Sequence, residues 1–79
     1  MIMKESYLLA DLPKGRQGIV AQINLEGELR RRLQDLGLVE NTEITCVGQS
    51  PLGDPKAYLI RGAIIALRNE ESRQIVVEG

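Results

Sequence analysis

Apolar positions change period along this chain, and each change of period predicts a new element. Tyr7-Leu8-Leu9-Ala10-Asp11-Leu12 reads as a short strand or extended lead-in, ending at the turn signal Pro13-Lys14-Gly15. Gly18 to Asn24 is rich in β-branched residues. It predicts a strand with Ile19, Ala21 and Ile23 on one face. Leu29, Leu33 and Leu36 then recur at i, i+4 and i+7, the stripe of an amphipathic helix covering Leu25 to Leu36. Gly37 suits a left-handed C-cap, and Leu38 can fold back on the last turn.

Downstream the period returns to two. Asn41 to Val47 alternates, with Glu43 and Thr45 facing one way and Ile44 and Cys46 the other. Ser50-Pro51-Leu52-Gly53-Asp54-Pro55 predicts an irregular loop, because proline cannot donate to a sheet ladder. Ala57-Tyr58-Leu59-Ile60 and Ala63-Ile64-Ile65-Ala66-Leu67 flank Arg61-Gly62, which predicts two strands in a tight hairpin. Asn69 to Arg73 reads as one helical turn before the closing strand Gln74-Ile75-Val76-Val77. This order predicts a mainly β fold, a small SH3-like, partly open β-barrel of about five strands. One amphipathic helix is inserted, and a short helical turn precedes the last strand. No linker or repeat divides the sequence, so residues 1–79 read as a single domain.

Composition narrows the chemistry. The 79 residues include no His, one Cys, no Trp or Phe, and two Tyr, with a formal net charge of -1. Without His the usual general base near neutral pH and the commonest metal ligand are missing. One Cys permits neither an internal disulfide nor a multi-cysteine metal site, and Cys46 reads as a core residue. The charge balance argues against nucleic-acid binding, which needs excess Lys and Arg. Lys4-Glu5 interrupts what a signal peptide would need, and the longest apolar run, Ala63 to Leu67, is far short of the ~20 residues of a spanning helix. A soluble protein without membrane insertion is expected. No nucleophile–base pair, catalytic carboxylate pair or phosphate-cradling loop stands in the sequence, so no enzyme and no cofactor are read.

Three features remain as candidate chemistry. Arg30-Arg31-Arg32 spreads over about 200° of a helix, so it reads as a solvated face rather than one patch, with Arg32 beside the apolar stripe. Asp35, Asp54, Glu70 and Glu71 are the hard-metal ligand candidates. With no imidazole they do not specify a selective site, so no metal ligand is assigned. Glu70 and Glu71 read more simply as acids opposing a helix dipole. The Pro51–Pro55 loop reads equally as a rigid turn and as a docking surface with an apolar tip at Leu52.

Taken in order, Arg32-Leu33, Leu36-Gly37-Leu38, Pro51-Leu52-Gly53-Asp54-Pro55, Arg61-Gly62, Ile65-Ala66-Leu67-Arg68, Glu71, Ile75 and Val77 resemble the pattern of FeoA domains from about Gly15 to Val77. The resemblance implies a cytoplasmic SH3-like barrel working with FeoB, the membrane permease for ferrous iron that carries a GTP-binding domain. The sequence departs from the family at Glu40-Asn41, where Pro-Gly is usual, and Asn tolerates the left-handed region that such a turn needs. It departs again at Ser72, where Ala is usual, at a position expected to be half-exposed. The resemblance implies a non-enzymatic accessory protein of bacterial ferrous iron uptake that touches the cytoplasmic part of FeoB. Its expected contacts are Arg31, Pro51, Leu52, Gly53, Asp54 and Pro55, with Leu52 as the apolar anchor and Arg31 and Asp54 supplying charge. Self-association stays open. The alternative is a metal-sensing module that binds Fe(II) or Mn(II) through carboxylates such as Asp54 and Glu70. A proline-recognising SH3 groove is poorly supplied, since Tyr7 and Tyr58 are the only aromatic residues.

Overall fold

The computed structural model describes residues 5–79. Its strands are β1 (Ser6–Leu8), β2 (Gln17–Ile23), β3 (Glu43–Gln49), β4 (Lys56–Ile60), β5 (Ala63–Leu67) and β6 (Ile75–Glu78). They form one antiparallel sheet in the order β1-β6-β2-β3-β4-β5. The mainly β class is as expected, with six strands rather than about five. The added strand comes from the lead-in, which divides. Ser6–Leu8 pairs with β6, and Leu9–Asp11 turns into a 3₁₀ helix. That turn drops Leu9 and Leu12 fully into the core, which a continued strand would not do with both.

Strand β2 corrects the expected face. Val20 is fully buried while Ile19 and Ala21 are only half-buried. A β-bulge lies between Val20 and Gln22, where Val20 faces Val77 and Gln22 faces Val76. One extra residue resets the parity, so Val20 before the bulge and Ile23 after it both point inward. Strand β3 keeps the expected alternation, with Ile44 and Cys46 fully buried. The core also holds Leu38, Tyr58, Ile60, Ile75 and Val77, all fully buried.

Helix α1 (Gly27–Asp35) begins two residues later than the stripe predicts. Leu25 is buried in the approach to the helix, and Gly27 adopts φ 74, a turn conformation that marks the entry. At the other end the Leu38 N–H donates to the Leu33 carbonyl at 2.8 Å and the Gly37 N–H to Gln34 at 3.0 Å. Together these are a Schellman termination, with Gly37 at φ 105. Asn41 takes φ 71, so the turn usually supplied by Pro-Gly persists on Asn. The hairpin is as expected. Arg61 and Gly62 have φ 48 and 83, the type I′ turn that matches strand twist. A second short helix, α2 (Asn69–Ser72), precedes β6. Ser72 is fully buried rather than half-exposed, and its hydroxyl donates to the Asn69 carbonyl at 3.3 Å. Among the described residues no helix is long and apolar enough to cross a membrane.

Candidate functional site

The β3–β4 loop is an ordered turn rather than a free tether. Ser50 organises it: its N–H donates to the Pro55 carbonyl at 3.1 Å, its hydroxyl donates to the Asp54 carbonyl at 2.7 Å, and that hydroxyl accepts from the Asp54 N–H at 3.0 Å. The Gly53 N–H closes the tip onto the Ser50 carbonyl at 2.8 Å. Leu52 is carried at the apex, 93% exposed. A large aliphatic side chain held this far into water by a cross-linked turn leaves nearly its full transfer free energy, about 2 kcal/mol, to be gained on contact.

Asp54 has a use inside the fold. Its Oδ1 accepts the Asn69 N–H at 3.0 Å, so the carboxylate sits at the N-terminus of α2 and satisfies one of its free donors. Glu71 serves the same helix from within, its Oε1 accepting the Arg68 N–H at 2.9 Å as half of a capping box. Two of the four candidate metal-binding carboxylates are therefore engaged in ordering one short helix. Among the described residues no group of three or more His, Cys, Asp or Glu side chains converges as a metal site.

The three consecutive arginines take three different places. The Arg30 guanidinium donates to the Ile23 carbonyl at 3.0 Å and the Leu25 carbonyl at 3.3 Å, tying α1 back to the end of β2. Arg32 flanks the apolar stripe as expected and lines a groove. Arg31, two residues from both Leu29 and Leu33, is about 200° around the helix from that stripe and is exposed. The groove does not include Arg31, so the structure does not bring it together with the apolar surface.

That groove is the surface sequence reasoning missed. It has a volume of about 310 Å³ and runs between α1, which supplies Leu29, Arg32, Leu33 and Leu36, and β5, which supplies Ile65, Ala66 and Leu67, with Glu71 of α2 at one end. Leu36 belongs to the helical stripe yet is 46% exposed, the one stripe residue left facing outward. The signal was present in the spacing, since a stripe ending beside a Gly cap can overhang the core. Helix α2 joins the two apolar surfaces: Asp54 of the loop bonds to its first residue, and Glu71 lines the groove. A wider concavity of about 520 Å³ is lined by Asn41, Thr42, Glu43, Thr45, Leu59, Arg61 and Gly62, among which polar and charged residues outnumber the single large apolar side chain, Leu59.

Two side chains with chemical potential lie inside. Cys46 is fully buried, its thiol 3.7 Å from the Gly48 carbonyl, so it packs in the core as expected. Tyr58 is fully buried, its hydroxyl donating to the Leu9 carbonyl at 3.4 Å. Burial pushes its pKa up from 10.0, Cys46 and Asp54 add to the rise, and a hydrogen bond with Ser72 opposes it.

The FeoA domain family matches residues 7–79. A curated relative, the Fe(2+) transport protein A/Fe(2+) transporter FeoB fusion protein of Porphyromonas gingivalis, is 34% identical over 70 residues, which is 89% of this chain and 8% of that protein. The solution structure of FeoA from Chlorobium tepidum superposes with a TM-score of 0.84 at 34% identity, covering 89% of this chain and 67% of that one. FeoA of Stenotrophomonas maltophilia, described as a prokaryotic SH3 domain protein and solved in complex with zinc, superposes with a TM-score of 0.72 at 29% identity, covering 96% and 89%. The fold is thus SH3-like, as the element order predicts.

Proposed function

The chain belongs to the FeoA family, and on that premise we propose that it is a non-catalytic, cytoplasmic accessory factor of ferrous iron uptake that binds a FeoB permease directly. The observation that carries this is the relative in which transport protein A and FeoB share one polypeptide. Joining two proteins covalently raises their effective concentration toward the millimolar range, which helps only partners that act in contact. The surface offered for contact is apolar and ordered, with Leu52 at the tip of its loop and Leu29 and Leu36 along the groove, joined through α2. Pro51, Gly53 and Pro55 fix the shape that presents Leu52, and Asp54 fixes the loop to α2.

Capture of purified FeoB on the immobilised protein tests this. Losing the contact of one fully buried Leu costs about 2 kcal/mol, so Leu52→Asp weakens binding by at least tenfold. The circular dichroism spectrum and melting curve stay as in the wild type, because Leu52 supports nothing in the fold. Unchanged capture by Leu52→Asp removes the loop from the interface, and no capture by the wild type removes the function.

A further inference from the structure

Strand β5 ends the sheet, and its outer edge carries none of the usual protections. The sequence Ala63-Ile64-Ile65-Ala66-Leu67 has no Pro, no Lys and no inward charge, and Ile64 is 69% exposed. The other terminal strand, β1, has three residues. Hydrogen-bond parity along β5 follows from the hairpin. Ile60 and Ala63 flank a two-residue type I′ turn and exchange bonds, so Tyr58 with Ile65 and Lys56 with Leu67 are the other bonded pairs. The N–H and C=O groups of Ile64 and Ala66 therefore point away from β4, unpaired by any strand among the described residues. Ala66 lines the groove whose opposite wall is α1. Arg61 stands just outside the groove where β5 begins, its stem against Gly37 at the end of α1, while Arg32 and Glu71 line the groove itself.

Resting on the reading that this protein binds FeoB, we infer that an extended segment of the permease adds to β5 as a seventh strand. Its main chain pairs with Ile64 and Ala66, and its alternate side chains lie against Leu29 and Leu36 of α1. Charge complementarity specifies the segment: an acidic residue at the end beside Arg61, apolar residues against Leu29 and Leu36, and a polar residue able to meet both Arg32 and Glu71. A second copy of this chain is a poorer occupant. A five-residue edge is about 17 Å long at ~3.4 Å per residue. A contact of that size falls short of the roughly 1,200 Å² that a stable pair of proteins buries. A partner held at high effective concentration, as on a shared polypeptide, does not need that area.

Amide hydrogen exchange followed by NMR, with purified FeoB in lipid nanodiscs as the probe, reads this mode directly. The Ile64 and Ala66 amides slow by at least tenfold on binding, while exchange at Ile65 and Leu67, already paired to β4, changes little. Ala66→Pro removes one outward N–H without touching a β4 bond. It lowers FeoB capture by at least tenfold with the native dichroism spectrum retained, and Ile64→Lys supplies the same test without proline. Capture of FeoB with Ile64 and Ala66 unprotected, and with both variants binding as wild type, overturns strand addition while leaving FeoB binding intact. No capture by the wild type overturns both. Protection of the two amides that rises with protein concentration in the absence of FeoB assigns the edge to self-association and overturns the inference as well.

Discussion

Replacing Asp54 by Ala separates a structural carboxylate from a recognition carboxylate. In the fold, Oδ1 of Asp54 accepts the Asn69 N–H at 3.0 Å at the start of α2. Losing such a capping acceptor costs about 1 kcal/mol, and the charge opposite the helix dipole adds at most a few tenths at an exposed position. Unfolding entropy of roughly 2.1 cal/mol/K per residue gives about 0.17 kcal/mol/K for 79 residues. The melting temperature therefore falls by ~6–8 °C. Asp54→Asn keeps an acceptor oxygen at the same place and loses less than half of that. Thermal denaturation by circular dichroism measures both, alongside capture of FeoB below the transition. An Asp54→Ala variant that melts with the wild type but loses FeoB refutes the capping role, because the carboxylate then acts on the partner and not on α2.

Other perturbations report on separate parts of the structure. Gly37→Ala places a Cβ 2.8 Å from Arg61 Cδ at φ 105, whereas Gly15→Ala at φ 87 meets nothing within 4 Å. Both carry the left-handed penalty of about 1–2 kcal/mol, so urea denaturation should show Gly37→Ala as the costlier, with Arg61→Ala relieving only that excess. Arg30→Ala breaks two hydrogen bonds from a guanidinium to main-chain carbonyls and destabilises by about 1–2 kcal/mol, while Arg31→Ala stays within ~0.5 kcal/mol in the same titration. The raised pKa of Tyr58 sets an alkaline limit. Above 10.0, the unperturbed value, the unfolded chain sheds the proton before the native state does, so stability is complete below that pH and declines above it. The slope is about 1.4 kcal/mol per pH unit until the folded pKa is reached. Tyr58→Phe abolishes that part of the decline in denaturant midpoints measured across alkaline pH, and a wild-type midpoint flat to the same pH would contradict the burial argument.

Local chemistry made much of this molecule legible before any fold was known. Proline in the 50–55 segment forbids a ladder there, Arg61-Gly62 between two apolar runs demands a hairpin, and Leu33-Leu36-Gly37-Leu38 spells a helix end. Each depends on atoms within a few residues of one another, so the structure reproduces each. The FeoA resemblance was equally readable, since it lies in the order of those same local signals. The candidate site was legible only in its loop. Leu52 stands at an exposed tip as expected, whereas the Asp54 carboxylate is engaged at the surface in capping a helix 15 residues away.

What the sequence alone determined is most of the elements, the absence of imidazole and the single thiol, and with them the exclusion of a histidine-based or multi-cysteine metal site. Tertiary structure decided what depends on distant segments meeting. The parity of β2 was reset by a bulge against β6 that no alternation rule contains. Arg30, Arg31 and Arg32 were identical in kind, yet only the placement of β2 and β5 around α1 gave one to main-chain carbonyls, one to solvent and one to the groove. The free edge of β5 is likewise invisible in its own five residues, because a strand is an edge only by what the rest of the sheet leaves unpaired beside it.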